Sequence, residues 1–228
     1  MDRRIHFARY NTDDMKPALI FDLDGTLWDS TLQVTEAWKI VGQKMFGPSF
    51  DLSVDKVRSL MGKTMDEIKN ELTPFDADAK SRNSFGDECF LYENEYLSAH
   101  PGSLFPRELE TLSLLARDYD LYIVSNCQFG YIETFLPLVP NGMFRGYRCF
   151  DDTKKAKEFT IRFLVDEFRI QRALYIGDTA KDEKASRAAG VGFVHASYGF
   201  GSAESPDATA DSFESLPAAI KSAIAHLE

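Results

Sequence analysis

Four short apolar runs recur at wide separation along the chain: Ala18-Leu-Ile-Phe-Asp22, Leu121-Tyr-Ile-Val-Ser125, Ala173-Leu-Tyr-Ile-Gly-Asp178 and Gly192-Phe-Val-His-Ala196. None alternates polar with apolar, which is the pattern of a strand buried on both faces. Between the runs the period changes. Ile161, Leu164, Val165 and Phe168 follow i, i+3, i+4, i+7 spacing, and Leu109, Leu112, Leu115 and Ala116 do much the same before Leu121. Strand alternating with helix predicts an α/β fold on a doubly wound, Rossmann-like parallel sheet, with any ligand at the carboxyl edge of the strands.

Residues 31–100 break that alternation. Val34, Ala37, Trp38, Val41 and Met45 make one helical stripe, closed by Gly47-Pro48, and Phe85, Cys89, Tyr92 and Tyr96 make another. Shorter helical pieces around 54–60 and 64–72 lie between them, and His100-Pro101-Gly102 marks the return to the sheet. The expectation is a core of residues 18–30 and 101–228, an inserted α-helical cap domain over 31–100, and an N-terminal extension over 1–17. Ala208-Thr-Ala-Asp211 reads as a weak last strand, with a closing helix over roughly 215–226.

The net charge of −10, with no Lys/Arg-rich run, opposes binding of a nucleic-acid backbone. The three cysteines, Cys89, Cys127 and Cys149, form no CxxC pair and suggest neither a disulfide framework nor a zinc site. The first 16 residues carry scattered charge without an apolar signal-peptide core, and no stretch approaches membrane-spanning length. A cytoplasmic protein with no membrane or nucleic-acid partner is expected, as a monomer or homodimer.

Three of the runs end in Asp22, Ser125 and Asp178. Parallel neighbours end at one edge, so these residues converge if the sheet forms. Two carboxylates brought together there would repel at neutral pH unless a cation lay between them. With only hard oxygen ligands on offer, Mg²⁺ is the expected ion. A cation would also let ionised Asp22 approach a phosphate ester as a nucleophile, giving an aspartyl-phosphate. Asp24, two residues on, would then protonate the leaving oxygen and later deprotonate the attacking water. Backbone N–H groups at Gly25 and Thr26 are expected to turn toward the phosphoryl oxygens.

The segment Asp22-Leu-Asp-Gly-Thr-Leu27 resembles the DxDGT(L) signature of the haloacid dehalogenase superfamily in its phosphatase branch. Ser125-Asn126 is similar to the second motif and Gly177-Asp178-Thr-Ala-Lys-Asp182 to the acidic GDxxxD motif. The resemblance, which reaches from residue 18 to about 217, implies Asp22 as nucleophile and Asp24 as acid/base. It implies Mg²⁺ held by Asp22, the Asp24 carbonyl and Asp178, with Asp182 supporting the metal's surroundings. Ser125 would donate to the phosphoryl group, with Thr26 and Asn126 beside it. Asp24 argues against carbon–halogen cleavage, since dehalogenase members lack it.

The family's phosphate-binding lysine departs here from the common Lys-Pro form, leaving Lys154, Lys155 and Lys157. Lys157 begins the stripe of Ile161 and Leu164 and is the choice. Met61-Gly62-Lys63-Thr64 resembles the turn between cap helices that reaches over the site, so Gly62 and Lys63 are candidate substrate contacts. Trp28 is a candidate for the cleft wall; Cys127 lacks an adjacent base and is not expected to be a nucleophile. The cap type resembles that of phosphoglycolate phosphatases. The implied activity is Mg²⁺-dependent hydrolysis of a small phosphorylated metabolite, with a β-phosphoglucomutase-type phosphomutase or a non-catalytic binding module as the alternatives.

Overall fold

The computed structural model describes residues 16–72 and 78–225. Most of the expected N-terminal extension, residues 73–77 of the expected cap and residue 226 of the expected closing helix lie outside the described residues.

The chain enters at β1 (Ala18–Phe21), passes through a short β2 (Trp28–Asp29), and then forms four helices: α1 (Thr31–Phe46), α2 (Val54–Arg58), α3 (Met65–Leu72) and α4 (Ala79–Ala99). It returns through β3 (Ser103–Leu104), antiparallel to β2. Then come α5 (Glu108–Leu115), β4 (Asp120–Ser125), α6 (Tyr131–Phe135), β5 (Gly146–Cys149), α7 (Phe150–Thr153) and α8 (Lys157–Glu167). The last elements are β6 (Ala173–Gly177), α9 (Ala180–Ala189), β7 (Gly192–Ala196), β8 (Ala208–Ala210) and α10 (Leu216–Ala225).

Six strands form a sheet in the order β5-β4-β1-β6-β7-β8, every pairing parallel. The order reverses at β1, with β4 on one side and β6 on the other, so the crevice beyond its carboxyl end is a ligand site by topology. The continuous apolar runs reflect burial on both faces. Leu19, Phe21, Leu121, Ile123, Leu174 and Ile176 belong to one core layer, while Ala18, Ile20, Tyr122, Val124 and Tyr175 belong to the other. Alternate residues thus bury on opposite sides, each layer covered by helices.

The four-helix insertion has its own aromatic packing, with Phe46 and Phe50 edge-on to Phe85 and Trp38 against Phe90. The buried stripe of α4 departs from the expected one. Phe85, Cys89, Glu93 and Leu97 are buried, whereas Tyr92 and Tyr96 are half-buried on its flank, packed against the same core. Among the described residues no helix is long and apolar enough to cross a membrane.

Candidate active site

The β1 register places Phe21 beside Ile123 and Ile176, so the residues just beyond these strands gather at one edge. Asp22 and Asp178 are both buried there, with Asp182 alongside, and ligand oxygens of the three lie within 4.8 Å of one another. Asp182 arrives by way of a helix start. Thr179 caps α9, accepting from the Asp182 N–H, and its own N–H and hydroxyl donate to Asp182 Oδ2 at 3.1 and 2.6 Å. This leaves Oδ1, which accepts from Lys157 Nζ at 2.5 Å.

Lys157, the first residue of α8, is buried with Thr160, Ile161 and Leu164 on the inward face. Its Nζ also donates to Asp22 Oδ1 at 2.9 Å and stands 5.7 Å from the centroid of the Tyr175 ring. The other two lysines point elsewhere: Lys154 pairs with Asp151 and is exposed, as is Lys155, which lies over the Phe159 ring. Burial alone would lower the Lys157 pKa, but Asp182 and Asp22 outweigh it and hold the ammonium charged.

Burial acts on the carboxyls in the opposite sense. Burial pushes Asp22 well above its usual range; Lys157 opposes this, and Asp182 and Asp178 add to it. Burial, with Asp182, pushes Asp178 up to about 7. Asp178 Oδ2 accepts from the Phe200 N–H at 2.7 Å, while its buried Oδ1 has no hydrogen-bond partner. When ionised, three carboxylates beside one ammonium leave two negative charges uncompensated in a buried site. That donor set, with an orphaned oxygen, fits a hard divalent cation.

Asp24 is held differently. Its Oδ1 accepts from Trp28 Nε1 at 3.0 Å, Ser30 Oγ at 2.9 Å and Tyr131 OH at 2.8 Å. Ser30 stands at the N-cap of α1 but makes no cap bond, its hydroxyl being engaged with Asp24 and Tyr131. Burial raises the Asp24 pKa, and the three donors restrain the rise. Neither Ser30 nor Tyr131 is identifiable from sequence as a partner of Asp24, since residues 24 and 131 meet only through the sheet. Trp28 is fully buried against Tyr131 and Phe135 rather than in the cleft wall.

The turn after Asp24 corrects a second expectation. The N–H of Gly25 donates to the Trp28 carbonyl at 2.9 Å and that of Thr26 to the Leu23 carbonyl at 3.2 Å, so both close the turn itself. The Thr26 hydroxyl is buried without a partner, and Thr26 does not line the cavity. Gly25 adopts a φ of 78°, and a Cβ there would lie 2.5 Å from Asp178 Oδ2. Only glycine allows the turn to press this close to the acidic cluster.

Asp22, Asp24, Ser125 and Asn126 floor a cavity of about 30 Å³ whose roof is supplied by the insertion, including Gly62, Lys63, Trp38 and Glu93. Asn126 Nδ2 donates to the Gly62 carbonyl at 3.0 Å, tying floor to roof. Lys63 pairs with Glu71 at 2.6 Å. Cys127 lines the same space, but burial pushes its thiol well up, as befits an inert residue.

Residues 19–196 match the family described as haloacid dehalogenase-like hydrolase. The chain belongs to that family. It is 26% identical over 227 residues to a phosphoglycolate phosphatase of Vibrio parahaemolyticus, covering 87% of this chain and 93% of the relative. A haloacid dehalogenase-like hydrolase structure from Bacteroides fragilis shares 27% identity and a TM-score of 0.70 over 81% of this chain and 89% of that one. A predicted phosphoglycolate phosphatase from Haemophilus somnus superposes with a TM-score of 0.78 at 20% identity, over 91% of this chain and 99% of its own. The last likeness concerns the fold.

Proposed function

We propose that this hydrolase is a Mg²⁺-dependent phosphatase acting on a small phosphate monoester through an aspartyl-phosphate on Asp22. The observation that carries the reading is the buried cluster of Asp22, Asp178 and Asp182 around Lys157 at the switch point of the sheet. Asp22, Asp178 and the Asp24 carbonyl would hold the ion, with Asp182 fixing Lys157 beside them. When bound, Mg²⁺ offsets the charge of the phosphoryl oxygens.

Asp22 attacks phosphorus as the ester bond to the leaving oxygen breaks. Three donors occupy Asp24 Oδ1, and Trp28 Nε1 can only donate, so the proton that Asp24 gives the leaving group rides on Oδ2. The same oxygen then takes a proton from the water that opens the acyl phosphate. Ser125, at the cavity floor, donates to the phosphoryl group, and Asn126 and Gly62 set the approach of the roof.

The four-helix insertion acts as the cap domain in this reading. Closing over a bound monoester, it would exclude bulk water from the reacting atoms. The test is phosphate release from a panel of monoesters, with and without Mg²⁺, using Asp22→Asn as control. Metal-dependent release that is lost in the variant is expected, together with a phosphorylated Asp22 peptide after acid quench. Full activity in Asp22→Asn would refute the mechanism.

A further inference from the structure

The cavity has two unlike halves. Its floor carries the acids and amide of the reaction site, whereas its roof is built from apolar side chains such as Val34, Ile68 and Phe90 and contains one carboxylate, Glu93. Glu93 lies mid-way along α4 and is 3% exposed. Its Oε1 accepts from Gln128 Nε2 at 2.5 Å and its Oε2 accepts from Trp38 Nε1.

Both donors are neutral, and among the described residues no lysine or arginine pairs with Glu93. The charged group that acts on it is Asp24, which has the same sign. Lys63, the cation in this roof, is committed to Glu71, and Lys157 to Asp22 and Asp182. A buried carboxylate lacking a counter-ion is costly. It offers about four acceptor sites, of which the two neutral donors use two.

We propose that Glu93, in its ionised form, is a specificity-determining residue, selecting monoesters whose leaving group carries a hydrogen-bond donor, a hydroxyl or a protonated amine, over those carrying a carboxylate. The inference rests on the phosphatase reading above. A donor on the leaving group supplies what Glu93 lacks, whereas a carboxylate would enter a confined space already holding Glu93 and Asp24. Phosphoglycolate, the substrate in the relatives' name, falls on the disfavoured side.

The test compares kcat/KM for a matched two-carbon set: hydroxyethyl phosphate, aminoethyl phosphate, ethyl phosphate and phosphoglycolate. It is run with Mg²⁺ above the value near 8 at which Glu93 ionises. The wild type should favour the better donor ester over phosphoglycolate by at least about tenfold, because a site built to meet a donor discriminates strongly against its absence. Which of the two donor esters leads tells hydroxyl from ammonium. In Glu93→Gln the ratio should collapse toward unity.

A wild-type profile that is flat, or that favours phosphoglycolate, overturns the inference and leaves the phosphatase reading standing. A variant that keeps the wild-type ratio also overturns it. Release from none of these four but from other monoesters overturns the inference alone, and release from no monoester at all overturns both. The wild-type profile needs no substitution, so it decides the matter even if the variant does not fold.

Discussion

Replacing Glu93 with glutamine should alter stability by an amount that reverses sign with pH. Burial, with a contribution from Asp24, raises the Glu93 carboxyl from its ordinary 4.5 to about 8. At about 1.4 kcal/mol per tenfold change in proton affinity, ionising Glu93 in the folded protein costs about 5 kcal/mol more than in the unfolded chain. In acid below 4.5 the group is protonated in both states and carries no penalty. Between 4.5 and 8 the folded state keeps a proton that the unfolded chain has released, so stability falls as pH rises, by up to about 1.4 kcal/mol per pH unit. Above 8 the full cost is carried.

Glutamine escapes that cost but introduces another. Its NH₂ must face either Trp38 Nε1 or Gln128 Nε2, both donors, at a loss of about 1–3 kcal/mol. The wild type should therefore be the more stable in acid, and the variant by about 2–4 kcal/mol in alkali, with a crossing between. Urea unfolding of both proteins over a pH series, at a common m-value, reads the difference directly, and the shared titrations of Asp22 and Asp178, which do not act on Glu93, cancel in it. A difference that stays constant across the series would mean that Glu93 ionises normally, and the argument for its role in specificity would lose its ground.

Asp24→Asn should lower kcat by about 10²–10⁴, the usual worth of a positioned acid, as read in steady-state assays on an ester with a poor leaving group. Lys157→Met leaves Asp22 and Asp182 without their buried ammonium and should cost about 3–5 kcal/mol by calorimetry at neutral pH, with the loss shrinking in acid as the carboxyls protonate. Tyr131→Phe keeps the ring against Trp28 but removes a donor that lowers the Asp24 pKa. The basic limb of its kcat/KM profile should therefore move to higher pH, and an unmoved limb would show that Tyr131 does not act through Asp24.

The parallel strands were legible because burial on both faces leaves an uninterrupted apolar run, as in Ala18–Phe21 and Ala173–Gly177. The inward position of Lys157 is legible because it shares a helical face with Ile161 and Leu164. Strand β5 was not, because Gly-Tyr-Arg-Cys sits at the sheet edge with two half-buried residues and carries no such run. The α4 stripe was misplaced for a related reason. Tyr92 and Tyr96 look like core by hydrophobicity, yet the face that turns inward carries Glu93, a residue whose burial makes sense only beside Trp38 and Gln128. At Gly25 and Thr26 the sequence shows a turn without showing that the turn consumes its own donors.

The partners of Asp24 and Glu93 also divide by where they sit in the fold. Asp24 is held by Trp28, Ser30 and Tyr131, all from the sheet-bearing part of the chain, so its orientation does not depend on the insertion being closed. Glu93 belongs to the insertion, and it meets Gln128 only across the interface, as Gly62 meets Asn126. Separation of roof from floor would therefore break the Glu93–Gln128 contact while preserving those that orient Asp24. An arrangement of this kind keeps the chemistry of the core constant and leaves selectivity to a few roof residues, which is why Glu93 rather than the DxDGT turn is where the substrate of this chain should be sought.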